Sequence, residues 1–391
     1  MLENIKRIKT LQGIIKDNDL SAVLLFYSRD VFYYTGTSQP SYFFVSPQHY
    51  CLYVRAGSDF ALREAQIGKE NIKEERHLEN IFKEIFPIIK RGKKIGTELD
   101  VLPANRFLEF SRIFSGFEIV DISPLILNQR KRKDPAEIKI IRKACSTIRR
   151  GHERILSVLK GGMTELELAA AVEDAHRLAG HEGIFFIRQP DFFMSRGPLV
   201  SGPNLYEISG VLYSITGIGL SASVPLGPSR RKIRRGDLIV VDIPVLVNGY
   251  HADQTRTYVV GKAKDGAKEL FQSLKEIANH LIDYITPGMK CSETYKMAIK
   301  KAGELQVEKP FLNFGNGRKS KIIGHGVGLE INEPPIISDY DHSIISDGFV
   351  LALDMHMMDE RFGVVKLEDM ILIGEKNKLL TKTPRELFEI E

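Results

Sequence analysis

Cysteine is scarce in this sequence: Cys51, Cys145 and Cys291 are odd in number, scattered and without metal-ligand spacing. That excludes a disulfide framework and a thiolate metal site, and predicts reduced core thiols. Long apolar runs are also missing; none approaches the roughly 18 residues of a membrane span, so no membrane partner is expected. The opening Met1-Leu-Glu-Asn-Ile-Lys-Arg-Ile-Lys9 is charged at helical spacing and lacks the apolar centre of a signal peptide, which predicts a cytoplasmic protein. Strong charge of one sign is absent as well. The formal net charge of +5 is small for 391 residues. Its one dense run, Arg130-Lys-Arg-Lys133, has no interleaved aromatics; it reads as a solvated joint, with no nucleic acid expected.

What is present divides in two, as the length predicts. Over 1–131, helical periodicity at 3–17, 78–91 and 103–115 alternates with strand patterns at Ser21–Tyr27, Tyr50–Arg55, Lys93–Leu99 and Glu118–Ile122. Alternation of this kind predicts a small α/β domain, and it carries no ligand cluster or phosphate loop. Asp134-Pro135 then offers an N-cap and a first-turn proline, opening a long helix to about Leu159. Thr164-Glu-Leu-Glu167 is a capping box for the next helix, ending near Gly180. Ala278–Ile285, Pro287-Gly-Met and Ser292–Gly303 echo Ile155–Leu159, Gly161-Gly-Met and Thr164–Gly180, so the second part predicts two related halves.

The chemistry is concentrated in two hairpins. Asn248-Gly249 among β-branched residues demands a tight turn, because both residues must take positive φ. Folding there pairs Val247 with Tyr250 and, further out, Pro244 with Asp253. Asp242 and Asp253 then share one face as diagonal neighbours, roughly 7–8 Å apart at Cα. Near the C-terminus, Val350–Met358 and Val364–Ile373 flank Asp359-Glu-Arg-Phe-Gly363. A hairpin closed by that five-residue loop sets Asp354 opposite Glu368, with Cβ atoms about 4.5–5.5 Å apart. His325, in Gly324-His-Gly-Val-Gly-Leu329, is the remaining candidate, since its glycines permit close backbone approach.

Buried carboxylates are costly without a compensating cation. One such acid alone reads equally well as a turn cap or surface ion pair; five metal-capable groups in matched hairpins ask for metal. An imidazole with four carboxylates suits manganese, cobalt, iron or zinc, and carboxylates placed to bridge predict two ions about 3.5–4 Å apart.

The order Asp242, Asp253, Gly324-His-Gly-Val-Gly-Leu329, a strand acid and Glu368-Asp369 resembles the pita-bread, M24-type metallopeptidases. Within them it resembles the Xaa-Pro dipeptidases and aminopeptidases. Gly249-Tyr-His-Ala-Asp-Gln-Thr-Arg-Thr257 is similar to their Gly-Tyr-x-x-Asp-x-Thr-Arg-Thr signature, and residues 2–36, ending Phe32-Tyr-Tyr-Thr-Gly36, resemble the opening of their creatinase-like N-terminal domain. The resemblance implies that α/β domain over 1–131, then an α+β pita-bread domain over 132–391 with an internal pseudo-twofold. It implies a homodimer, with metal ligands Asp242, Asp253, His325, Asp354 and Glu368, and water activated against a small peptide or amide substrate.

Four positions depart from that pattern. Leu226 stands where a Pro-His pair has its histidine, and Asn332 where a second histidine follows the glycine loop. Asp354 replaces the glutamate assigned as general base, and Pro244 replaces a glycine, suggesting an edge or bulge. Asn332 can donate a hydrogen bond but cannot carry a proton. His356, two residues beyond Asp354 on the same face, is a candidate replacement acid–base group, although a histidine bonded to a backbone carbonyl fits slightly better. His251, two before Asp253, is at most a supporting residue. The expected activity is therefore a metal-dependent hydrolase with very slow turnover of simple Xaa-Pro peptides. An altered hydrolase of non-peptide C–N bonds and a catalytically retired binding scaffold are the alternatives.

Overall fold

The structure, a computed structural model, describes residues 2–89, 94–189, 196–210 and 214–391. It divides into two compact units, Met1–Arg130 and Lys131–Glu391. No described helix is long and apolar enough to cross a membrane.

The first unit is a six-stranded mixed sheet with strands in the order Ile72–Glu74, Tyr50–Val54, Ser41–Val45, Leu20–Leu25, Lys94–Thr97 and Glu118–Asp121. Helices Leu2–Asp17, Leu78–Ile85 and Ala104–Ile113 match three sequence periodicities; residues 90, 91 and 93 of the expected segments lie outside the described residues. Strand Ser41–Val45 and helices Ser28–Thr35 and Ser123–Lys131 were not evident from pattern. The reading of the basic run as solvated holds for Arg132, which is exposed, and is corrected at Arg130 and Lys133. Arg130 pairs with Asp30 at 2.8 Å within this unit, and both are buried. In the second unit Lys133 pairs with Glu333 at 2.7 Å, also buried.

The second unit is built on an internal duplication. Helices Pro135–Val158 and Glu165–Leu178 form one pair, Asp265–Tyr284 and Cys291–Glu304 the other. Asp134 and Thr164 both cap through full capping boxes. The repeat extends to hydrogen bonds: Gly162 N donates to Ile233 O, which Gly288 N repeats with Ile345 O. Ile233 N returns to Met163 O, and Ile345 N to Met289 O. Gly236 and Gly348, both left-handed (φ 86° and 82°), then launch strands Leu238–Asp242 and Val350–Asp359 at the same spacing from Asp242 and Asp354. Those two acids are therefore counterparts.

Strands of both halves join one nine-stranded sheet. Asn248 and Gly249 have φ of 49° and 79°, as the turn requires, and Val247 pairs with Tyr250. The same register resumes at Asp242 opposite Thr255, but the ladder lapses around Pro244, which has no N–H to donate. Val245–Val247 and Tyr250–Ala252 thus form a separate two-stranded ribbon. Asp354 does lie opposite Glu368, in a ladder that extends to Asp359 opposite Gly363, so the loop is shorter than expected. The halves meet where Thr255 pairs with Glu368. Strand alternation then sends neighbours to opposite sides: Ile239, Val241 and Tyr258 pack with Ile155, Leu168 and Val172 of the first helix pair. The acids face the other way.

Candidate metal centre

Asp242, Asp253, His325, Asp354 and Glu368 converge on one face of the sheet. His325 lies on strand Ile322–Gly326, opposite Ala352. Its flanking glycines serve strand packing: a Cβ at Gly324 would strike the Ala352 carbonyl, and one at Gly326 the carbonyls of Glu333 and Pro334. His325 Nδ1 lies 3.1 Å from Gly326 O, a contact that assigns its proton to Nδ1 and turns Nε2 toward the acids. Nε2 is 3.8 Å from Glu368 Oε1 and 4.0 Å from Asp253 Oδ2. Burial lowers the His325 pKa, keeping the ring neutral as a ligand must be.

Glu368 is buried, with Oε2 accepting from Thr255 Oγ1 at 2.8 Å. Glu368 Oε1 and Asp253 Oδ1 have no hydrogen-bond partner. Desolvation, reinforced by the neighbouring acids, raises the pKa of both Asp253 and Glu368 well above the usual carboxylate range. These orphaned oxygens fit a cation. Asp253, His325 and Glu368 offer ligand atoms all within 4.8 Å of one another.

One side chain was missed in the sequence. Lys366 precedes Glu368 by two on the same strand, hence on the same face, and that spacing was the available signal. Its Nζ sits 2.5 Å from Asp242 Oδ2, 3.1 Å from Asp354 Oδ1 and 2.8 Å from Ser214 Oγ. Burial opposes the ammonium, but Asp242, Asp354 and Glu368 together hold its pKa well above the ordinary lysine value. Asp354 has a raised pKa, chiefly from burial, tempered by Lys366.

The remaining candidates are held by other contacts. His356 is buried, with Nε2 3.0 Å from Asn313 O and its ring stacked on Phe314 at 4.6 Å between centroids. Burial and then Lys366 push its pKa down to about 3. Asn332 is exposed, whereas Leu226 is buried. His251 ties loops together: its Nε2 accepts from Phe186 N at 3.1 Å, and Nδ1 lies 3.1 Å from Gly328 O.

Residues 139–375 match the model of metallopeptidase family M24, and residues 7–132 match the creatinase/prolidase N-terminal domain. The chain belongs to metallopeptidase family M24. It is 29% identical to an Xaa-Pro dipeptidase of Pyrococcus furiosus, over 98% of this chain and 99% of that protein. The prolidase structure from Pyrococcus horikoshii superposes with a TM-score of 0.79 at 27% identity, covering 98% of this chain and all of the other. An Xaa-Pro dipeptidase from Bacillus anthracis, 22% identical, shares the fold at a TM-score of 0.83 over 99% of this chain and 100% of its own. The two-domain, pita-bread architecture is thereby that of prolidases, and family membership brings with it a divalent metal and a metallohydrolase class.

Proposed function

We propose that this chain is a metal-dependent hydrolase of peptide or related amide bonds with low activity on simple Xaa-Pro peptides. The observation that carries the reading is a pair of buried carboxylates, Asp253 and Glu368, each with an unpartnered oxygen (Oδ1 and Oε1) and each reaching within 4.0 Å of a neutral His325 Nε2. A divalent ion held there supplies a water acidic enough to attack near neutral pH. Thr255 fixes the Glu368 carboxylate, and Gly326 fixes the ring of His325. Asp354 is the most exposed of the four acids, with a side chain 20% accessible, and is the group placed to take a proton from an entering water.

Low activity on proline peptides follows from the two positions where histidines are missing. The apolar Leu226 is packed into the protein and has no proton to donate, and Asn332 offers only an amide. Losing one preorganised donor to a developing oxyanion typically costs about 10²–10³ in rate, and two such losses need not add. The same departures favour a second reading, hydrolysis of a non-peptide C–N bond on this fold. Ser214, which bonds Lys366, is an additional polar group at that site. The working form is proposed to be a cytoplasmic homodimer.

The test is hydrolysis by the purified chain, supplied with manganese, cobalt or zinc. Xaa-Pro dipeptides and tripeptides are compared with small amides and guanidino compounds. Slow or absent proline-peptide cleavage with turnover elsewhere in the panel is the expected result. Rates on Xaa-Pro substrates ordinary for an enzyme would overturn the low-activity reading.

A further inference from the structure

The ligand group is neutralised unevenly. Asp242 and Asp354, counterparts across the internal duplication, both lie against the Lys366 ammonium. Asp253 Oδ1 and Glu368 Oε1 have no hydrogen-bond partner, on side chains at least nine-tenths buried; Asp253 Oδ2 and Glu368 Oε1 approach His325 Nε2, while Glu368 Oε2 lies at the limit of the lysine's reach, 4.0 Å away. We propose that Lys366 is a built-in cation that takes the place of one of two ions, so that the chain holds a single divalent ion on Asp253, His325 and Glu368.

Three features support this. Lys366 is fixed rather than wandering: it is 1% exposed, its backbone N–H donates to Thr257 Oγ1 at 2.9 Å, and its ammonium is also held by Ser214. Asp354 has one methylene less than glutamate, and its Oδ1 reaches the ammonium, not the imidazole. A second divalent ion between Asp242 and Asp354 would press against that ammonium, and like charges a few ångströms apart in a buried site repel strongly. Away from the ammonium, Asp253 Oδ1 and Glu368 Oε1 have neither a hydrogen-bond partner nor an ion pair with the lysine, and with His325 they mark the place for a cation. This inference rests on the metal-hydrolase reading and narrows it.

Metal stoichiometry decides between the possibilities without reference to activity. The full chain is stripped with chelator, reloaded with manganese or zinc and freed of excess. Bound metal is then counted by elemental analysis and by calorimetric titration. One ion per chain is expected. Two ions would overturn the inference and leave the hydrolase reading intact, whereas none would overturn both. Lys366→Met should raise the count to two, and Lys366→Arg should keep it at one. A single ion in Lys366→Met would show that the lysine does not hold a cation position. Should Lys366→Met unfold without metal, two ions should restore its folding; if metal does not restore it, the counts for the native chain and Lys366→Arg decide.

Discussion

Adjacent residues on one strand, Glu368 and Asp369, belong to two ionic clusters on opposite sides of the same sheet, and the clusters are finished differently. Asp369 accepts from Arg256 Nη2, Arg385 Nε and Thr381 Oγ1, each at 2.7 Å. Arg256 continues to the carbonyls of Thr255, Glu368, Thr383 and Pro384, locking the two hairpins together. On the other side three carboxylates, Asp242, Asp354 and Glu368, share one lysine, and Asp253 Oδ1, Asp354 Oδ1 and Glu368 Oε1 have no hydrogen-bond partner. Buried polar groups are ordinarily satisfied, so a carboxylate bonded through both oxygens, as Asp369 is, marks a structural clamp, and carboxylates left with open oxygens mark a place kept for a ligand. Glu165 belongs with the clamps: fully buried, it accepts from the backbone and side chains of Ser201 and Ser229 and from Asn204.

Two aspartate-to-alanine substitutions should therefore act in opposite directions. Asp369→Ala leaves Arg256 buried without its carboxylate and should destabilise the chain by roughly 3–5 kcal/mol, read as a lower denaturant midpoint. Asp253→Ala removes a buried carboxylate that has one unpartnered oxygen and lies among other acids, so metal-free stability should hold or rise. Equal losses from the two would erase the distinction between the clusters.

The second effect is on metal. Asp253→Ala should abolish stoichiometric binding measured by elemental analysis, while the fold is retained. Full metal content in that variant would remove Asp253 from the ligand group and the proposed centre with it.

His356 sharpens the comparison from the satisfied side. It is bonded to a carbonyl and neutral, with its pKa pushed down to about 3 by burial and then Lys366. His152, His176 and His181 are likewise pushed to about 4, each first by burial. Unfolding returns such rings to a pKa of about 6.5, so below that pH the unfolded chain binds the extra protons. Stability should fall as pH drops from about 6.5 toward 4. His356→Gln should flatten that slope and leave the metal count unchanged. A changed metal count in His356→Gln would instead place this ring at the centre.

The hairpins were legible because turn chemistry and strand alternation are local. Asn248-Gly249 specifies its own turn, and counting outward brings Asp242 and Asp253 together; the same counting sets Asp354 against Glu368. The duplication showed through Gly161-Gly-Met and Pro287-Gly-Met. What escaped notice depends on partners distant in sequence. Lys366 reads as an ordinary charge until Asp242, 124 positions away, is brought beside it. Arg130 and Lys133 looked solvated because their acids, Asp30 and Glu333, lie 100 and 200 residues away.

The smallest effect should come from Asp354→Glu, which tests where the division between the neutralised and orphaned acids falls. Asp354 already faces Glu368 across the ladder, so one added methylene requires no change of register. The longer carboxylate could pass the ammonium and approach His325 as a fourth protein ligand. It would do so while loosening its contact with Lys366, and these two changes oppose each other. A modest tightening of the single ion is expected, on the order of tenfold or about 1.4 kcal/mol, in a calorimetric titration, with the count still one. A count of two in this variant would show that carboxylate reach, not the lysine, limits the number of ions. An unchanged affinity would show that Asp354 stays with Lys366 whatever its length.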